Sequence, residues 1–183
     1  MLLYHQIRLI EKWYPPFNRQ PLTVHTLKEL ANQAKITVIE DFSVTTAVSF
    51  RYKKRKLIYF NPHQPYQQQV LCLGHEIGHF LLGHHDAWEL YFNPVSLFSK
   101  HGMEKDASVI GFLCLIPTVS LNRMVYQRRL DIEEIYQDLC PCGESEEELC
   151  WKLAEARLRI YRAWRKLEEG WEVFHSTTSR LLT

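Results

Sequence analysis

The sequence predicts an α+β fold, a small antiparallel sheet packed on a buried helix that carries two histidines, with a mostly helical C-terminal part. Three observations predict it. Short β-branched and aromatic runs cluster between residues 36 and 60, an apolar run with embedded histidines spans residues 70 to 83, and helical periodicity dominates after residue 103. No internal repeat or low-complexity segment interrupts the pattern, and 183 residues with 46% hydrophobic content suffice for one core and a helical extension.

The elements follow in order. Met1 to Tyr14 is amphipathic, and Pro15-Pro16 stops it. Leu22 to Ala34 is a second helix, with Thr23 or Thr26 as N-cap and Leu27, Leu30 and Ala31 on its apolar face. The period then changes. Ile36–Ile39, Ala47–Phe50 and Leu57–Phe60 read as strands, the last two joined into a hairpin by the basic turn Arg51–Lys56. Asn61-Pro62-His63-Gln64-Pro65 breaks the last strand and delivers the chain into the histidine-bearing helix. His84 to His101 has aromatic residues (Trp88, Tyr91, Phe92, Phe98) and Pro94 but weak periodicity, as expected of a loop or short helical turns over a cleft. Met103 to Ile116 is helical and closed by Pro117, and Leu121 to Leu139 continues as helix with a break near Asp131. Ser145-Glu146-Glu147-Glu148 resembles a capping box, opening a helix that runs to about Glu169 and ends at Gly170. Residues 1–126 are expected to form the core, with 127–183 a helical extension packed on it.

A net charge of +1 argues against a dedicated nucleic-acid surface, and the Arg51–Lys56 cluster reads as a solvated turn. No clear DNA-binding helix-turn-helix is present. No stretch approaches the ~18 apolar residues of a membrane span, and Met1–Gln6 lacks a basic segment leading into an apolar one, so a soluble, cytoplasmic protein is expected. Cys72 and Cys114 lie in apolar helical runs, where free thiols behave as small hydrophobes. Cys140-Pro141-Cys142 and Cys150 lack the C-x-x-C spacing of a structural metal site and read as reduced cysteines in a helix-helix turn.

The most informative stretch is His75-Glu76-Ile77-Gly78-His79. Two histidines four apart share one face of a helix, so both imidazoles reach a single zinc ion while Glu76 points into the same cleft. Neutral imidazoles bind Zn²⁺ at about 2.0 to 2.1 Å, and the ion lowers the pKa of its water toward roughly 7. Glu76 is then placed to take a proton from that water as it attacks a carbonyl. Val70, Leu71, Leu73, Ile77, Phe80, Leu81 and Leu82 around the motif mark a buried helix, where histidines and a glutamate are costly unless they bind something. This is the pattern of a zinc peptidase.

The third ligand has two sources. His85 lies six residues after His79, the metzincin offset, but the glycine of H-E-x-x-H-x-x-G-x-x-H falls where this chain has Leu82, and Gly83 is one place late. The alternative is a carboxylate from the next buried helix, where Glu104 and Asp106 are the candidates.

The stretch Glu104-Lys105-Asp106-Ala107-Ser108-Val109-Ile110-Gly111-Phe112-Leu113-Cys114-Leu115-Ile116-Pro117 resembles the E-x-x-A-x-x-F-A-x-x-L-L-x-P helix that follows H-E-x-x-H in the ImmA/IrrE family of zinc metallopeptidases. Glu104, Ala107, Leu115 and Pro117 fall into register, with Ile110 where the family has phenylalanine and Gly111 for its small residue. The resemblance covers about Ile36 to Met124. It implies His75, His79 and Glu104 as zinc ligands and Glu76 as general base. Helix geometry agrees, since Asp106 is shorter and points about 200° away from Glu104 around the same helix. His84, His85, His101, Tyr91 and Tyr126 are candidate cleft donors, His84 foremost. The resemblance also implies a protein substrate, a cytosolic helix-turn-helix repressor. The competing reading is a zinc-containing module that binds and sequesters a regulator without cutting it, and the intact Glu76 favours hydrolysis.

Overall fold

The computed structural model describes residues 2–86, 97–139 and 147–181. Contacts group them into two compact units, Met1–Ser120 and Leu121–Thr183. The architecture is α+β, and among the described residues no single helix is long and apolar enough to cross a membrane.

In the first unit, α1 (Leu2–Trp13) buries Ile7 and Ile10, and α2 (Val24–Gln33) buries Leu27, Leu30 and Ala31. Thr23 is the N-cap of α2. Its hydroxyl accepts from the Thr26 backbone N–H while the Thr26 hydroxyl accepts from that of Thr23, so two orphan amides are satisfied reciprocally. The turn after α1 is tied to the far end of the unit, where the Asn18 Oδ1 accepts from the Thr118 amide at 2.7 Å and the Leu22 amide donates to the Cys114 carbonyl at 2.8 Å.

The strands β1 (Ile36–Glu40), β2 (Ala47–Tyr52) and β3 (Arg55–Phe60) form one sheet in the order β1-β3-β2. The hairpin is where the sequence places it, with Phe50 opposite Leu57 and Tyr52 opposite Arg55. The sheet is mixed: β1 runs parallel to β3, with Val38 beside Ile58, so the chain leaves a place that the returning hairpin strand fills. That places β2 at a sheet edge, with Val48 and Phe50 facing out and Ser49 turned inward. Ile58 and Phe60 on β3 are fully buried.

The helix α3 (Tyr66–Leu81) packs against the sheet and against α4 (Leu97–Leu115). Helix α4 begins before Met103, so the C-terminal end of the expected loop is already helical. The aromatic cluster from Trp88 to Pro94 lies outside the described residues.

The second unit contains most of α5 (Thr118–Tyr126), then α6 (Ile132–Leu139) and α7 (Glu147–Leu181). The expected break near Asp131 is present. Arg128 adopts φ 57°, and the Asp131 carboxylate accepts from the Glu134 amide at 2.8 Å, which caps α6. Ile135 and Leu139 of α6 and Cys150, Leu153 and Ala154 of α7 are buried, and Tyr136 meets Trp151 with ring centroids 5.5 Å apart. Helix α7 does not end at Gly170 but continues to Leu181. A single helical glycine costs only about 1 kcal/mol and stops a helix only where the chain also turns. The expected capping box at Ser145 and the pair Cys140 and Cys142 lie outside the described residues, whereas Cys72, Cys114 and Cys150 are free thiols.

Candidate metal centre

Helix α3 carries His75 and His79 one turn apart, and their rings meet edge to face with centroids 4.7 Å apart. What brings a third group to them is the close approach of α4. A Cβ on Gly111 would lie 2.7 Å from the Leu71 carbonyl oxygen, and one on Gly78 would lie 3.0 Å from the Ile110 Cβ. The missing side chains let the two helices touch backbone to side chain. One and two turns before Gly111 on α4, Ala107 and Glu104 follow, and Glu104 reaches the histidines across this contact.

The ligand atoms of His75, His79 and Glu104 all lie within 4.8 Å of one another and could hold a metal ion. The two Nε2 atoms are 3.0 Å apart, and Glu104 Oε2 lies 3.2 Å from that of His75 and 3.4 Å from that of His79. Donors bonded at about 2.0 to 2.1 Å to a tetrahedral ion stand roughly 3.3 to 3.4 Å apart, so the three positions fit one face of such a shell.

Hydrogen bonds behind the rings fix which nitrogen faces inward. Ser108 Oγ donates its only proton to the Glu104 carbonyl at 2.7 Å, so it accepts from His75 Nδ1–H at 3.2 Å. The Nε2 of His75 therefore presents a lone pair, as does the Glu104 carboxylate, and two lone pairs 3.2 Å apart favour a cation between them. His79 Nδ1 lies 3.0 Å from His84 Nδ1, so a neutral His84 can accept from His79 and leave the second Nε2 lone pair facing the same point. Burial, reinforced by the other histidines, pushes His79 down to about 3, and burial pushes His84 down to about 4. Burial also lowers His75, against the pull of Glu104. Neutral imidazoles are the form that binds metal.

Glu76 stands beside this group without belonging to it. Burial pushes its carboxyl up to about 7, opposed by a hydrogen bond from the Ser49 hydroxyl to Oε2. It lines a pocket of about 240 Å³ together with Thr46, Leu71, Cys72, His75, Ser108 and Phe112. Burial holds the Cys72 thiol at about 11, so near neutral pH it offers no thiolate to compete as ligand or nucleophile.

The other predicted residues are distributed differently. Asp106 is outside the three-ligand group. His85 lies with Nε2 2.9 Å from Ser49 Oγ, and Gly83, at φ 74°, turns the chain so that His84 and His85 fold back on α3. Tyr126 is 90% exposed, Tyr91 lies outside the described residues, and of His101 only its place on α4 is described. His84, expected in the cleft, meets His79, whereas Ser49 and Ser108 were missed from sequence. Ser108 alone had a signal, its position four residues after Glu104 on one helix face.

The family model of the IrrE N-terminal-like domain matches residues 31–153 of the chain. No curated protein and no solved structure matches it.

Proposed function

The chain belongs to the family of IrrE N-terminal-like domains, and on that basis we propose that it is a zinc-dependent endopeptidase, with His75, His79 and Glu104 holding the ion and Glu76 as general base. The observation that carries this reading is the set of three ligand atoms 3.0, 3.2 and 3.4 Å apart beside a half-buried carboxylate that is not one of them. Zinc, when bound, supplies Lewis acidity that polarises a carbonyl oxygen and acidifies water.

The chain's own residues do the rest. Glu76 accepts the proton of the attacking water and hands it to the departing amine, and a carboxyl held at about 7 suits both directions near neutral pH. Among the described residues β2 is an edge strand of the sheet, beside which an extended peptide can lie. The walls made by Leu71 and Phe112 suit an apolar side chain next to the scissile bond. As substrate we propose a cytosolic helix-turn-helix repressor, supported by the resemblance of this chain to metallopeptidases that act on such regulators.

The test is a digest. Zinc-loaded wild type is incubated with a proteome-derived peptide library and with a purified helix-turn-helix repressor, and products are read by mass spectrometry. New termini are expected with wild type, and Glu76→Gln should retain zinc while cleavage falls by about 10² to 10⁴-fold. Equal product patterns from wild type and Glu76→Gln, or no product from either, would overturn the reading.

A further inference from the structure

We propose that Ser49 and His85 are positioning residues for Glu76: His85 Nε2–H donates to Ser49 Oγ, and the Ser49 hydroxyl donates to Glu76 Oε2, leaving Oε1 for the reacting proton. This rests on the peptidase reading of the site. Edge strand β2 supplies Ser49, 27 residues before Glu76 on helix α3 and 36 before His85 in the turn after Gly83.

The direction of each bond follows from the donors present. A general base acts in its ionised form, in which the Glu76 carboxylate has only lone pairs, so Ser49 must spend its single proton there, and its oxygen is then open to His85 at 2.9 Å. Ser49 has no second proton to give His85, so the N–H of this contact belongs to His85 Nε2. The ring itself is held by Phe80, with centroids 4.2 Å apart. Strand alternation turns Ser49 inward between exposed Val48 and Phe50, opposite fully buried Ile58. A hydroxyl on such a face is costly unless satisfied, and here both of its bonds are used. His85 thus stands six residues after His79 not as a ligand but as the far end of a chain that fixes the base.

Positioning predicts a loss in turnover without a loss of metal. In zinc-loaded protein, with the best-cleaved library peptide as substrate, Ser49→Ala and His85→Phe should lower kcat about 10-fold or more at unchanged KM and zinc content. The phenylalanine keeps the ring on Phe80, and Ser49→Thr keeps the hydroxyl and should restore most of kcat. Spectra of ¹⁵N-histidine-labelled protein give a readout independent of activity. His85 is expected as the Nε2–H tautomer in wild type and as a tautomer mixture in Ser49→Ala. Undiminished kcat in Ser49→Ala, zinc loss in either variant, or a His85 proton on Nδ1 would each overturn the proposal. If wild type cleaves nothing, the peptidase reading fails by itself, and the histidine spectra still decide whether the chain of hydrogen bonds exists.

Discussion

Helices α3 and α4 contribute to the same site in opposite ways. Helix α3 carries both histidines and Glu76, and its groups are locked: His75 by Ser108, His79 by His84 and Glu76 by Ser49. Its His79 side chain is only 10% exposed. Helix α4 contributes Glu104, whose side chain is 46% exposed and which owes its place to the close helix contact at Gly111. One half of the site is therefore fixed by side-chain hydrogen bonds, and the other by backbone proximity. Damage to the first half should act on metal and chemistry directly, whereas damage to the second should also register as lost packing.

The sharpest break comes from removing a locked ligand. His79→Ala should reduce zinc from one per chain to near none after metal-replete purification, read by elemental analysis; stoichiometric zinc in that variant would contradict the assignment. Removing the exposed ligand should be milder. Glu104→Ala is expected to weaken zinc affinity about 10 to 100-fold in a chelator competition, while Asp106→Ala and His85→Ala stay near wild type. If His85→Ala strips the metal, the roles given to α4 and to the turn after Gly83 are exchanged.

The helix contact itself can be pried apart. Gly111→Ala forces a Cβ against the Leu71 carbonyl and should cost about 1 to 3 kcal/mol in unfolding experiments, with weaker zinc binding although no ligand has changed. On the same helix, a Cβ on Gly102 meets nothing within 4 Å, so Gly102→Ala should stabilise by up to about 1 kcal/mol. Equal effects of the two substitutions would show that helix proximity does not hold the site. A smaller change in metal binding than that of Glu104→Ala is expected from His84→Phe, which keeps a ring beside His79 but removes its Nδ1 partner. A loss of affinity of about 10-fold would place His84 among the groups that orient the ligand.

The same contrast explains what the sequence could convey. The histidines and Glu76 are legible because a helix repeats every 3.6 residues, so His75 and His79 share a face by spacing alone. The hairpin is legible because Ala47–Phe50 and Leu57–Phe60 are β-branched and aromatic runs joined by a short polar turn. Glu104 is a candidate beside Asp106 from its place on the next helix, and its register with Ala107, Leu115 and Pro117 in a family helix singles it out, because spacing alone does not say which helices touch. Ser49 is less legible still. An inward serine on a strand looks like any other until Glu76 and His85 arrive from segments 27 and 36 residues away. The parallel pairing of β1 is hidden for a similar reason, since alternation reports which face is buried but not the direction of the neighbouring strand. Gly170 misleads because a glycine permits a helix end without enforcing one.

The turn after α3 has one more consequence. His84 and His85 are consecutive, yet one meets His79 and the other meets Ser49. They lie in a 3-10 turn, His84–Asp86, where successive side chains point about 120° apart. Their division of labour is thus a matter of phase: adding or removing a single residue at Gly83 would rotate both rings by a third of a turn. Whether His79 and Ser49 both keep their partners is then set by a count of residues as much as by their identity, and that count is a quantity a designer can vary one unit at a time.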